Sequence, residues 1–204
     1  MYKRQELGTA LRELVDVSVR TTVPPDTLRD VAATARELTG RLSAAVREPG
    51  RLPALDDPAQ FRRVHNPVTG VGSALAPPLD IRRVDGGVAA EVALGLPYEG
   101  PPGYVHGGVS SLLMDQLLGS GAMAAGLWGM TVRLELDYRR PVPLLTPLVL
   151  RATVGERAGR RTVVTGRIAL ASAPDQPLVT AHGVFVNPTA EQAAAYFGTG
   201  ADGG

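Results

Sequence analysis

HGGVSSLLMDQLLGSGAMAAGL, residues 106–127, is the stretch on which the fold turns. Leu112, Leu113, Met114, Leu117, Leu118, Met123 and Leu127 are interleaved with small Gly, Ser and Ala residues, and Asp115 is the one charged side chain. The run predicts a helix over about residues 108–126 with no polar stripe. A helix apolar on every side is expected to be buried on every side. A membrane span is the competing reading of residues 107–132, and it is rejected: a mid-span Asp costs about 2.5–3.5 kcal/mol on insertion scales, and six glycines dilute the apolarity further.

The neighbouring segments supply what would bury such a helix. Downstream, MTVRLELDY at 130–138 alternates Val132, Leu134, Leu136 and Tyr138 with Arg133, Glu135, Asp137 and Arg139, the period-2 signature of a strand with one wet face. Further strands are predicted at 147–156, 161–171 and 178–187, with turns at Gly155–Arg160 and Ala173–Gln176 short enough for meander connections. Upstream, Leu79–Val84 and Val88–Leu94 flank Asp85-Gly86-Gly87, a hairpin signal. The loop EGPPGYVHGG at 99–108 then leads into the helix. The order β-β-α-β-β-β-β implies an α+β domain with one helix packed on a strongly curved antiparallel sheet.

Before that domain lie two expected helices, 6–20 and 26–47, the second with Leu28, Val31, Ala32, Ala35, Leu38, Leu42 and Val46 on one face, Asp26 as N-cap and Pro49-Gly50 as its stop. Residues 48–78, with HNPVTGVGS and APP, read as turn-rich punctuation. The expected organisation is a helical extension at 1–50, a linker or wrapping loop at 51–78, the α+β domain at 79–188 and a C-terminal tail at 189–204.

Composition narrows the function classes. The chain has 204 residues, 44% of them hydrophobic and 20% charged, with a net charge of +1, the balance of a globular protein and not of a polybasic nucleic-acid binder. Without cysteine there is no disulfide, thiolate metal site or Cys nucleophile. His65, His106 and His182 stand too far apart for a recognisable ligand spacing, so no metal is expected. Lys3, Arg4, Glu6, Arg12, Glu13 and Asp16 interrupt any secretory apolar core, which makes the cytoplasm the expected compartment.

Two features carry chemistry. Asp115 sits among Ser111, Leu112, Leu118 and Gly119, surroundings in which a carboxylate is costly unless hydrogen bonds, a subunit contact or a catalytic cleft accounts for it. His106-Gly107-Gly108 precede the helix, whose free N–H groups and positive dipole end suit an anionic oxygen, and glycines let a ligand approach the backbone. Alone, such a pair is most often a turn. Asp115 follows Gly107 by eight residues, about two helical turns, a spacing that suggests one site.

The stretches EGPPGYVHGGVSSLLMDQ (99–116) and TVRLELDYRRPVPL (131–144) resemble the hotdog-fold acyl-CoA thioesterases of the phenylacetyl-CoA and thioesterase-superfamily-member branch. The resemblance runs from about residue 79 to 188. It implies a sheet wrapped around the central helix, and a homodimer or dimer of dimers whose sites draw on both chains. It also implies hydrolysis of an acyl-CoA thioester, with no cofactor other than the coenzyme A of the substrate. By that resemblance Asp115 is general base or nucleophile, Gly107 the oxyanion donor through its N–H, and His106 shapes the loop. Thr131 positions the water or the carboxylate, while Gly108 and Arg140 are candidate substrate contacts. Some relatives carry an amide side chain shortly before HGG, where this chain has EGPPG. The alternatives are a catalytically silent acyl-CoA-binding protein of the same fold and a hotdog hydratase or dehydratase using His106.

Overall fold

In the computed structural model, which describes residues 2–49, 56, 63–127 and 129–197, six strands form a single antiparallel sheet. They are β1 (Arg82–Val84), β2 (Gly87–Val92), β3 (Met130–Tyr138), β4 (Leu148–Ala158), β5 (Arg161–Leu170) and β6 (Ala173–Val186), in the spatial order β1-β2-β4-β5-β6-β3. Helix α3 (Gly107–Ala124) lies against one face and touches β2 through β6. This is the hotdog architecture expected from the sequence.

Two glycines on the sheet let the helix sink in. A Cβ on Gly166 would stand 2.5 Å from Met114 Cε and 2.8 Å from Leu118 Cδ2, and one on Gly183 would stand 3.0 Å from Leu118 Cδ1. The floor under α3 is bare backbone at those points. Leu113, Met114, Leu117 and Leu118 are consequently almost wholly excluded from solvent, together with Val88, Leu148, Leu150, Val164, Ile168 and Val179 from the strands. Full burial of one such side chain is worth about 1.5–3 kcal/mol.

The connections depart from the expected meander in one respect. Strands β4, β5 and β6 do follow as hairpins, but β3 pairs with β6 at the far edge, because residues 139–147 carry the chain across the sheet to β4. Both expected turns tighten: β4 continues to Ala158 and turns at Gly159-Arg160, where Gly159 has φ +56°, and β6 already begins at Ala173. The first strand is shorter than Leu79–Val84, because Leu79 leaves the sheet to join the core.

Helix α3 is not buried on every side within one chain. Gly108 and Leu112 are exposed and Asp115 and Gly119 half-buried, a stripe spaced four, three and four residues along one face. Edge strand β3 beside it also leaves Met130 and Val132 exposed. The apolar alternation of β3 is thus only partly satisfied by the sheet's own core, with Leu134 and Leu136 half-buried.

Helices α1 (Tyr2–Arg20) and α2 (Pro25–Ser43) form the N-terminal extension, α2 stopping short of the expected residue 47 and having Pro25 in its first turn in place of an Asp26 cap. α1 is fastened to the wrapping loop: Gly8 is buried against Val71 and Gly72, and Arg12 donates to the carbonyls of Val71 at 3.0 Å and Ser73 at 2.8 Å. Of the expected linker, residues 51–55 and 57–62 lie outside the described residues. Beyond them the chain packs closely, with Val68 and Leu79 in the core. The expected tail opens with helix α4 (Ala190–Phe197), whose start carries a capping box: Gln192 N–H donates to Thr189 Oγ1 at 3.2 Å and Thr189 N–H to Gln192 Oε1 at 3.0 Å. Residues 198–204 lie outside the described residues.

Among the described residues no helix is long and apolar enough to cross a membrane.

Candidate active site

The start of α3 is built by His106. Its backbone is extended, as an N-cap requires, and its Nδ1 accepts from Gly108 N–H at 3.0 Å. That acceptor role places the proton of the neutral ring on Nε2. The His106 carbonyl takes the N–H groups of Val109 at 2.9 Å and Ser110 at 3.2 Å. Three of the first four helical N–H groups are therefore occupied, whereas Gly107 N–H meets no acceptor among the described residues.

Neither φ nor crowding explains glycine at position 107. Its φ is not positive, and the nearest atoms to a Cβ there belong to the Tyr138 side chain, at ordinary contact distances of 3.6–3.7 Å. Gly108 beside it is more confined, since a Cβ would lie 3.1 Å from His106 Nδ1.

Two turns along, Asp115 Oδ1 accepts from Thr131 Oγ1 at 2.9 Å. Thr131 is the second residue of β3, so helix and edge strand are linked at this point. Asp115 forms no ion pair among the described residues. A half-buried carboxylate held by one hydroxyl and no cation keeps its second oxygen available to a ligand or a water.

The structure does not bring Asp115 and Gly107 of one chain to one ligand atom. Eight residues of α-helix span about 12 Å, and the Gly107 N–H points out of the helix's N-terminus, away from Asp115. Helix geometry therefore keeps the two groups apart within one chain.

Two residues that the sequence did not single out, Tyr138 and Asn66, complete the picture. Tyr138, at the end of β3, donates its hydroxyl to the Gly107 carbonyl at 2.9 Å and stands 2.7 Å from Ser111 Oγ. Asn66 accepts from the N–H groups of Val68 at 2.8 Å and Thr69 at 2.9 Å, and its amide donates to Gln116 Oε1 at 2.8 Å. The wrapping loop is thereby tied to the residue next to Asp115. The signals were present in HNPVTG and LDY, but the first resembles any Asx turn and the second any strand end.

The Arg140 guanidinium donates to the carbonyls of Gln176 at 3.0 Å and Pro177 at 3.5 Å, a use that braces the start of β6. Arg160 similarly reaches the Asn187 carbonyl at 3.2 Å. His182 lies 3.8 Å from Glu135 across the β3–β6 pair. No cluster of three or more His, Cys, Asp or Glu residues suited to a metal occurs among the described residues.

Comparison with known proteins agrees with the fold. Residues 102–172 match the thioesterase superfamily model. A thioesterase superfamily protein of known crystal structure is 36% identical, with a TM-score of 0.78, over 90% of this chain and 94% of its own. That coverage reaches beyond the sheet domain into the N-terminal extension. The PaaI protein of the E. coli phenylacetic acid degradation operon shares the fold at a TM-score of 0.50 and 18% identity, over 54% of this chain and 84% of its own. Among curated relatives, the acyl-coenzyme A thioesterase THEM4 of Rattus norvegicus is 37% identical over 71 residues, 35% of this chain and 30% of the relative. Its counterpart in Xenopus laevis is 36% identical over 73 residues, 35% and 33% of the two chains. The match thus spans about a third of the length of these curated relatives.

Proposed function

The chain belongs to the thioesterase superfamily, and from that premise we propose that it hydrolyses an acyl-CoA thioester to the free acid and coenzyme A. The observation that carries the reading is the pairing of a cation-free carboxylate, Asp115, held by Thr131, with an unoccupied helix-terminal N–H at Gly107. A thioester needs an electrophilic clamp on its carbonyl oxygen and an oxygen nucleophile at its carbonyl carbon. Gly107 N–H is the clamp, a contribution of about 10²–10³ in rate for one oxyanion donor. Asp115 is the base that takes a proton from the attacking water, worth about 10²–10⁴, or is itself the nucleophile. Water adds to the carbonyl carbon, the carbon–sulfur bond breaks, and the departing thiolate receives the proton.

Because one chain separates the two groups by about 12 Å along α3, the working site is composite: Gly107 of one copy faces Asp115 of a second. The open stripe of α3 and the unpaired edge of β3 lie where that second copy docks. Two symmetry-related sites per homodimer result. The compartment we assign is the cytoplasm, and the substrate is acyl-CoA.

The test is thiol release from short, long and aryl acyl-CoA esters by wild type and Asp115→Asn. Hydrolysis that collapses by two or more orders of magnitude in the variant, with fold and oligomer size intact, is the expected result. Binding without cleavage in wild type would leave a silent acyl-CoA-binding protein. Mixing Asp115→Asn with Gly107→Val tests the composite site, since random exchange yields heterodimers with one intact site and about a quarter of wild-type activity. A mixture as dead as its parents would return both groups to one chain.

A further inference from the structure

We propose that Tyr138, backed by Ser111, is a positioning residue that holds the backbone at Gly107 from its carbonyl side; its catalytic consequence rests on the thioesterase reading, whereas the tether itself does not. The phenol donates to the Gly107 carbonyl at 2.9 Å, and Ser111 Oγ lies 2.7 Å from the phenol oxygen and 3.2 Å from the same carbonyl. Each hydroxyl has one proton. The two shorter contacts are both satisfied when Ser111 donates to Tyr138 and Tyr138 donates to Gly107, a chain in which each bond strengthens the next.

The need for such a tether follows from the sequence. Two consecutive glycines open α3, and glycine loses more conformational freedom on ordering than any other residue. An oxyanion donor works only if its N–H is already aimed before the charge develops. The 107–108 peptide is held at both ends, its N–H by His106 and its carbonyl by Tyr138, while the 106–107 peptide that carries the Gly107 N–H is held through the His106 carbonyl by Val109 and Ser110, so Gly107 is clamped on both sides. The Tyr138 side of the contact is not explained by burial, because the residue is 53% exposed. Its hydroxyl nevertheless turns to the backbone. The same strand carries Thr131 at its other end, so β3 holds both candidate groups, Asp115 through one hydroxyl and Gly107 through another.

Tyr138→Phe and Ser111→Ala, made in the full chain labelled with 15N-glycine, separate the tether from its consequence. The Gly107 amide signal is the one lost in Gly107→Ala. Expected in Tyr138→Phe is a displaced or broadened Gly107 amide with Gly40 and Gly159 unmoved, and kcat lowered about tenfold with KM within twofold, the scale of one lost hydrogen bond. Ser111→Ala should act in the same direction and less, and the double variant should be no worse than Tyr138→Phe. An unmoved Gly107 amide overturns the proposal, as does a raised KM at unchanged kcat, the mark of direct substrate contact. Should Tyr138→Phe fail to fold, Ser111→Ala decides by the same two readouts, an unmoved amide again overturning it. If wild type cleaves no ester, the thioesterase reading falls while the amide shift still decides the tether.

Discussion

Helices α2 and α3 have nearly the same length, 19 and 18 residues, and opposite fates. α2 carries an orderly apolar stripe, Leu28, Val31, Ala35, Leu38 and Leu42, and buries none of its residues. α3 has no stripe and buries eight residues, among them Ser110 and Ser120. A stripe announces that a helix will form and which face wants cover, but not where the cover is. An unpatterned apolar helix announces its own location, because only a surrounding sheet covers so many sides.

The sharpest way to break this comparison is Leu118→Ala. Leu118 is fully buried over the bare backbone of Gly166 and Gly183, so truncation opens a cavity that the sheet cannot close. The expected loss is about 2–5 kcal/mol in urea unfolding. A loss below about 1 kcal/mol, the range of ordinary substitutions, would mean that α3 is not the keystone of the core.

Next in size is Gly166→Ala. The new methyl would sit 2.5 Å from Met114 Cε, the flexible end of its side chain, so the helix gives way partially. Overpacking of this kind costs about 1–3 kcal/mol. Adding Met114→Ala should return part of that loss, and strict additivity of the two changes would refute the contact as its cause.

These residues also mark what the sequence makes legible. Leu113, Leu117 and Leu118 reveal a buried helix, and the alternation in 130–138 reveals β3 with its limits correct, because both depend on local periodicity. The place of β3 at the far edge was not legible, since it follows from where residues 139–147 can cross the sheet and no period records that. At the site, Asp115, Gly107, His106 and Thr131 stand out by residue type and spacing. The distance between Gly107 and Asp115 is a matter of helix rise. Tyr138 and Asn66 escaped because a hydroxyl aimed at a backbone carbonyl, or an Asx turn tied to Gln116, leaves no distinctive pattern in the chain. Helix α4 did leave one, in Thr189-x-x-Gln192, two residues after an expected strand.

A smaller effect sharpens the contrast from the side of α1. Gly8→Ala would place a methyl 2.5 Å from the Val71 carbonyl oxygen and 2.7 Å from Gly72 Cα, backbone atoms that cannot yield as a side chain does. Helix α1 must lift. Amide exchange of residues 5–16 should accelerate while global stability moves by about 1 kcal/mol or less, because the core beneath α3 is untouched. Slow exchange retained throughout α1 would show that Gly8 is not what seats the helix.

The smallest expected effect is in α2, and it bears most directly on the comparison. Leu38 is 44% exposed and Leu42 56% exposed, in a helix with no buried residue. Since Leu and Ala have similar helix propensities, Leu38→Ala in an uncovered helix should alter stability by no more than about 0.5 kcal/mol. Measured at two protein concentrations tenfold apart, the change should be equally small at both. A cost approaching that of Leu118→Ala, and growing with concentration, would mean that another chain covers the stripe in solution. The two helices would then differ only in whether their cover comes from the same chain.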